Sequence, residues 1–222
     1  MSSRTAAWLA WSLCAVCVVL IGLALLLDFL TLVLDRGQVF AILAEVLSLA
    51  YPAVGALIAS RLPTNPIGWI FCGVGLLYAG GRFTEAYATY ALRENSAFPG
   101  GGYMAWFSWL AGFEVLVMAG VFVMVLFPDG HLLSRRWRIV AWMAVCGAML
   151  RTLNNAFDPE ELNAHPYVQV PFGVDEVIGR VTTPEFFGVS SVVGLALLWA
   201  SILAALFSLF VRLHRAQGVA RQ

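Results

Sequence analysis

The stretch FFGVSSVVGLALLWASILAALFSLFV, residues 186–211, runs for 26 residues without a charged side chain. A helix needs about 20 mainly apolar residues to cross the hydrocarbon core of a bilayer. The whole chain shares this character, because 61% of its 222 residues are hydrophobic and 12% are charged, with a mean hydropathy of +0.84. A soluble domain carries about 25% charged residues. The composition therefore excludes a water-soluble enzyme and predicts an all-α, polytopic bundle of membrane helices.

Five further apolar runs precede this stretch, and segments rich in proline and glycine separate several of them. The pattern predicts one domain, 1–222, with six transmembrane helices. The segment 158–185 then forms an outer loop, and 212–222 begins a cytoplasmic linker. All four cysteines fall within apolar runs, which argues against a disulfide framework. The predicted helices cover about residues 5–28, 39–60, 67–92, 103–127, 137–157 and 186–211.

The distribution of arginine predicts the orientation of these helices. The chain has thirteen arginines and no lysine; eight of the arginines fall on one side of the predicted helices and three in the loops of the other side. The second side also carries eight acidic residues, against one on the first side. Positive residues are retained on the cytoplasmic side of a membrane. Both termini are therefore predicted to be cytoplasmic, in a multi-pass membrane protein.

Six ionisable residues fall inside the predicted spans, in their outer halves or close to the midplane. A charge in hydrocarbon costs at least about 2.5–3.5 kcal/mol, so such groups pair with one another or line a wet cavity. One interpretation is an outer-half pocket for a ligand or a proton; the other is a set of structural ion pairs between helices. Four carboxylates against two guanidiniums favour the pocket, because an unpaired buried acid takes up a proton or needs solvent. The six ionisable residues are Asp28, Glu45, Arg82, Glu85, Glu114 and Arg151, and the predicted pocket comprises Glu45, Arg82, Glu85, Glu114, Arg151 and Asn154.

Other patterns have two interpretations each. Small residues four apart on the sixth helix predict either a homodimer seam or packing within the bundle. Acidic residues and a histidine in the outer loop are compatible with a cation site, but the same segment is typical of a helix start. No nucleotide-binding loop, nucleophile triad or zinc-binding histidine pair occurs, so the sequence predicts no enzyme, cofactor, metal or nucleic-acid partner. The seam residues are Ala196, Ala200, Ala204 and Ser208, and the loop residues are Asp158, Glu160, Glu161 and His165.

Four segments together resemble a known module. They are ALIASRLPTNPIGWIFCGVGLLYA at 56–79, LFPDGHLLSRRWR at 126–138, VPFGVDEV at 170–177 and RLHRAQGVARQ at 212–222. Their order and spacing are similar to the amino-terminal six-helix membrane module of a bacterial sensor histidine kinase family. The motif residues are expected to shape the loops and to anchor a helix at the interface. The most specific positions are Asn65, Pro66 and Trp69 in the first segment, and Phe127, Pro128, Asp129 and Gly130 in the second.

The resemblance implies a sensory input module of the bacterial inner membrane. We expect a stimulus in the outer-half pocket to be relayed through the sixth helix to a cytoplasmic kinase domain or partner subunit. The chain departs from the family at His131, Leu133, Val170 and Ala220, where Arg, Pro, Asn and Glu are usual. It is expected to be a fragment of a longer receptor; a free-standing module is the alternative. A small proton- or solute-coupled carrier and an accessory subunit of a membrane complex are the other function classes.

Overall fold

A computed structural model describes residues 3–31, 38–93, 98–110, 113–127, 130–132, 134–158, 168–170 and 184–219. Every regular element in this part of the chain is a helix, which confirms the all-α prediction. A short 3₁₀ turn, Arg135–Trp137, precedes the seventh helix. The helices are α1 (Ser3–Leu30), α2 (Gln38–Ser48), α3 (Ala50–Arg61), α4 (Pro66–Arg93), α5 (Gly101–Leu110), α6 (Phe113–Leu126), α7 (Arg138–Phe157) and α8 (Pro184–Val219).

Four helical stretches are long and apolar enough to cross a membrane. They are Arg4–Leu30, Ile42–Arg61, Gly101–Leu126 and Glu185–Val211. The other two predicted spans correspond to α4 and α7, which have 28 and 20 residues. At a rise of 1.5 Å per residue these helices are roughly 42 and 30 Å long, but neither is among the stretches apolar enough to be a candidate span. Their apolarity is lower because α4 and α7 carry the two arginines of the predicted pocket.

In this bundle small side chains are buried and many large apolar side chains are exposed, which is the reverse of a soluble core. Ala10, Ala56 and Ala144 are fully buried, whereas Trp8 is 80% exposed and Leu47 is 71% exposed. Lipid tails are as apolar as leucine, so large side chains gain nothing by turning inward, and small residues let helix backbones approach closely. A water-soluble protein does not expose so many large apolar side chains. This arrangement is typical of helices surrounded by lipid.

The helices form two packed groups. In the first, α1, α3 and α4 meet around Ala56, Ala59 and Cys72. In the second, α6, α7 and α8 meet around Ala144 and Ala205. Helix α4 also packs against α5 and α6, and so connects the groups. Each group contains one of the two arginines that the sequence places inside the membrane.

Glycines bring the helices of each group into backbone contact. A Cβ atom at Gly55 of α3 would lie 2.6 Å from the backbone nitrogen of Cys72 and 2.8 Å from the carbonyl oxygen of Gly68, both on α4. A Cβ atom at Gly147 of α7 would lie 2.9 Å from the carbonyl oxygen of Gly194 on α8. These are closer than any real Cβ contact, so only glycine permits either helix crossing.

The predicted second span, 39–60, is two helices. The helical hydrogen-bond pattern is interrupted at Leu49, whose backbone angles stay helical but whose amide donates to the carbonyl of Val46, three residues earlier, at 3.2 Å. Pro52 explains the break, because proline has no amide hydrogen to bond the carbonyl of Ser48, four residues earlier. The proline ring sits against α4, where a Cβ atom at Gly75 would lie 2.8 Å from Pro52 Cβ. The short helix α2, before the break, carries the buried Glu45.

Candidate functional site

Arg82 of α4 holds carboxylates from three helices. Its Nε donates to Glu45 Oε1 of α2 at 2.8 Å, and its Nη2 donates to the same oxygen. Nη2 also donates to Asp28 Oδ2 of α1 at 2.9 Å. Nη1 donates to Glu85 Oε2, one turn along α4, at 2.8 Å. We call these four residues the Arg82 cluster. Charge-assisted bonds of this kind are stronger than neutral ones, so the guanidinium ties α1, α2 and α4 together.

Burial differs strongly among the three carboxylates of the Arg82 cluster. The Glu85 side chain is 60% exposed and that of Asp28 is 32% exposed, whereas that of Glu45 is 6% exposed. Glu45 Oε2 is buried and has no hydrogen-bond partner among the described residues. One positive group faces three negative ones. The cluster therefore has two negative charges in excess when all its groups are ionised.

A second group of polar side chains surrounds Arg151 of α7. Its Nη1 donates to Ser191 Oγ of α8, and its Nε lies 3.5 Å from Glu114 Oε1 of α6. Asn155 Nδ2 donates to the same Glu114 oxygen at 3.4 Å. We call these four residues the Arg151 cluster. Its one guanidinium faces one carboxylate, so its formal charges balance, and the excess acid of the bundle interior lies in the Arg82 cluster.

Asn154 lies beside the Arg151 cluster and extends the contact with α8. Ser190 Oγ donates to Asn154 Oδ1 at 3.1 Å, and Asn154 Nδ2 donates to the carbonyl of Leu150 at 2.8 Å. Asn154 and Ser190 are both buried. Two neighbouring serines of α8 are thus bound to the polar face of α7, near the amino-terminal end of α8.

The contacts of the described residues divide the predicted pocket into two sites. Glu45, Arg82 and Glu85 meet in one site. Glu114 and Arg151 meet in the other, and Asn154 lies beside them and binds Ser190. Asp28 completes the first site, although sequence reasoning left it out of the pocket. The sequence did carry a signal for it, because Asp28 stands at the end of a long apolar helix whose one other charged residue, Arg4, lies at the opposite end.

An open groove runs beside the Arg82 cluster between α2, α3 and α4. Its volume is about 530 Å³, within the range of small-molecule sites. Its wall is mainly apolar, with Tyr51 and Phe71 stacked at a centroid distance of 6.1 Å. Ser48 and Tyr78 contribute hydroxyl groups to the wall. None of the six predicted pocket residues lines this groove, so it is a surface feature separate from the two charged clusters.

The two most specific motifs of the sequence meet in space at the opposite end of the bundle. Gly130 packs against Asn65 and Pro66: a Cβ atom there would lie 2.8 Å from Asn65 Oδ1 and 2.8 Å from Pro66 Cδ. Asn65 Oδ1 accepts from the amide of Ile67 at 3.0 Å and so caps α4. The indole of Trp69 donates to the carbonyl of Pro63 at 3.0 Å. We call Asn65, Pro66 and Gly130 the Asn65 junction, which joins the start of α4 to the end of α6.

Gly130→Ala is expected to destabilise the protein more than Gly100→Ala. Both glycines have positive φ angles, 73° and 84°, which cost an alanine roughly 1–2 kcal/mol. Only Gly130 has neighbours that a methyl group would strike, because nothing lies within 4 Å of a Cβ at Gly100. Thermal unfolding in detergent micelles measures the difference between the two variants. Equal losses of thermal stability in the two variants would show that contact across the Asn65 junction contributes nothing to stability.

The predicted seam residues of α8 do not share one environment. Ser208 is buried and Ala204 packs partly into the second helix group, whereas Ala200 is half-buried and Ala196 is exposed. The face of α8 that packs on its neighbours lies one step round the helix and includes Ser190, Gly194, Leu198, Ser201 and Ala205. The outer half of the predicted seam therefore faces away from the bundle.

Several predicted features lie outside the described residues. These are Pro128 and Asp129 of the second motif, most of the outer loop with Glu160, Glu161 and His165, and Ala220 of the last segment. Phe127, at the end of α6, is exposed. Comparisons with protein-family models, curated proteins and solved structures found no match for the chain. The resemblance to the sensor kinase module thus remains a prediction from its four segments.

Proposed function

We propose that the chain is the membrane-embedded input module of a signal-transducing receptor of the histidine kinase type. The observation that carries the proposal is the length and attachment of α8. Its 36 residues are roughly 54 Å long, against about 30 Å for a hydrocarbon core. One end is bonded through Ser190 and Ser191 to the polar face of α7, and the other extends past Val211 to Val219. A single rigid helix thus links a buried polar site to the region beyond the membrane.

The proposed topology has six spans and cytoplasmic termini. The directions of the helices support it, because both arginine clusters lie toward the end of the bundle where α1 ends and α8 begins. The Asn65 junction lies at the other end, together with the arginine-rich turn Arg135–Trp137. Arginine is retained on the cytoplasmic side. The clusters would then face the outer half of an inner membrane, and the Asn65 junction would face the cytoplasm.

The proposed output is a change in how two copies of α8 meet. Single cysteines at Ala196, Ala200 and Ala204, in a background with the exposed Cys146 replaced by serine, are expected to give crosslinked dimers in native membranes. Arg151→Gln, which removes the guanidinium bonded to Ser191, is expected to change the relative yields by about twofold or more, as substitutions along a coupled path do. The measurement is the fraction of dimer on a denaturing gel.

Ala205 supplies the matched control, because it is fully buried against the second helix group and a cysteine there is expected not to crosslink. Absence of dimers at all three seam positions would contradict the output role of α8. Dimer yields that are the same with and without Arg151→Gln would contradict the coupling between the Arg151 cluster and α8.

A proton- or solute-coupled carrier is the second candidate. The acid excess of the Arg82 cluster favours it, because carriers place unpaired carboxylates inside the membrane for proton relay. Uptake into proteoliposomes distinguishes the two candidates, since an input module transports nothing.

A further inference from the structure

We propose that Glu45 is a proton-binding site, with Oε2 as the atom that takes up the proton. Glu45 is the most buried carboxylate of the Arg82 cluster, with 6% of its side chain exposed. Its Oε1 accepts both bonds from Arg82, and its Oε2 has no partner among the described residues. A buried acceptor without a donor is costly, and more so when it shares a negative charge. Protonation removes the charge and makes this oxygen a hydroxyl group.

The Arg82 cluster around Glu45 holds more negative charge than positive charge. Helix α1 contributes Asp28, and α4 contributes Glu85 and Arg82. Tyr78 of α4 lies within electrostatic range of Glu45 and Arg82. The single guanidinium is already shared with two other carboxylates, so it cannot neutralise Glu45 alone. A proton on Glu45 Oε2 removes one of the three negative charges that share a single guanidinium.

A proton fits this site better than a metal ion. The His, Cys, Asp and Glu residues that the structure describes form no group able to hold a metal. The carboxylates point instead at the guanidinium of Arg82, which occupies the position that a bound cation would need. An O–H bond is short and needs no coordination sphere, so it can form on the free side of Glu45.

The exposure of the three carboxylates in the Arg82 cluster decreases from Glu85 to Glu45. Glu85 is 60% exposed, Asp28 is 32% exposed and Glu45 is 6% exposed. In the binding step one O–H bond of a hydronium ion breaks, which gives a water molecule, and one O–H bond forms at Glu45 Oε2. No group is oxidised or reduced. The negative excess of the cluster falls from two charges to one, which weakens the hold of Arg82 on α2.

This inference names the stimulus of the proposed input module and rests on that proposal for its physiological meaning, whereas the protonation itself does not. The test is infrared difference spectroscopy of the whole chain in nanodiscs during a pH step. We expect the carbonyl band of a protonated carboxylic acid, shifted when water is replaced by D₂O. Glu45→Gln, which keeps an oxygen for Arg82, is expected to lose this band. Glu114→Gln, which changes a buried acid of the Arg151 cluster, is expected to retain it.

Asp28→Asn provides a second spectroscopic test, in which Glu45 itself is retained. It takes one negative charge from beside Arg82, so protonation becomes less favourable, and the band is expected to be weaker at any pH where the wild type is partly protonated. A band that survives Glu45→Gln, or that disappears in Glu114→Gln, would overturn the proposal, as would its complete absence in the wild type. These spectroscopic results do not depend on whether α8 crosslinks, and the crosslinking results do not depend on the band. The proposal for Glu45 and the proposed function can therefore fail independently.

Discussion

Arg82→Gln is expected to lower the free energy of unfolding by about 3–5 kcal/mol, the cost of breaking a buried ion pair by removing one partner. The guanidinium makes four hydrogen bonds to three carboxylates on three helices. Its removal leaves Asp28, Glu45 and Glu85 close together without a counter-charge. The measurement is equilibrium unfolding in mixed micelles with increasing SDS, followed by loss of helical circular dichroism.

Glu85→Gln is the matched control for this prediction. It breaks an ion pair of the same guanidinium, but the Glu85 side chain is 60% exposed. Exposed pairs contribute about 0–1 kcal/mol, so the variant should unfold almost like the wild type. Equal losses for Arg82→Gln and Glu85→Gln would contradict the central place of Arg82 in the first helix group.

Gly55→Ala is expected to destabilise the protein by about 1–3 kcal/mol, the usual cost of overpacking a well-packed interior. The added methyl carbon would lie 2.6 Å from the backbone nitrogen of Cys72 and 2.9 Å from its Sγ. Backbone atoms cannot rotate away, so α3 and α4 must separate. The same SDS titration measures the loss, and Trp69, which packs against this contact, reports local separation by its fluorescence.

Gly73→Ala distinguishes packing from helix propensity. Gly73 also lies inside a helix of the first group, but nothing lies within 4 Å of a Cβ atom there. Alanine favours a helix over glycine by roughly 0.5–1 kcal/mol, so this variant should be unchanged or more stable. A loss at Gly73 as large as that at Gly55 would mean that the close approach of α3 and α4 is not the cause.

Residue type predicted the helical class, and local spacing accounts for the pairing of Arg82 with Glu85. Apolar runs are a local signal, and side chains three apart share a helix face. The other partners of Arg82 are far along the chain: Glu45 is 37 residues away and Asp28 is 54 residues away. Which helices become neighbours depends on packing that no local pattern encodes. For this reason one predicted pocket corresponds to two clusters.

Local sequence patterns also failed to predict the contact made by Gly130 and the buried face of α8. The sequence singled out Asn65 and Gly130 as parts of two motifs, yet nothing local indicated that they touch. On α8, small residues occur on more than one face, so a repeat of four did not distinguish Ala196, which is exposed, from Ala205, which is buried. Packing against Gly147 of α7 identifies the buried face.

The order of the ion pairs along the chain bears on how the protein enters the membrane during synthesis. Asp28 and Glu45 precede Arg82, and Glu114 precedes Arg151. An arginine in the middle of a helix adds about 2.5–3.5 kcal/mol to the cost of insertion by the translocon. Helices α4 and α7 are less apolar than the candidate spans, and each emerges from the ribosome after the acidic partners that lie on other helices. We therefore expect the earlier helices to supply a counter-charge to each arginine as it arrives.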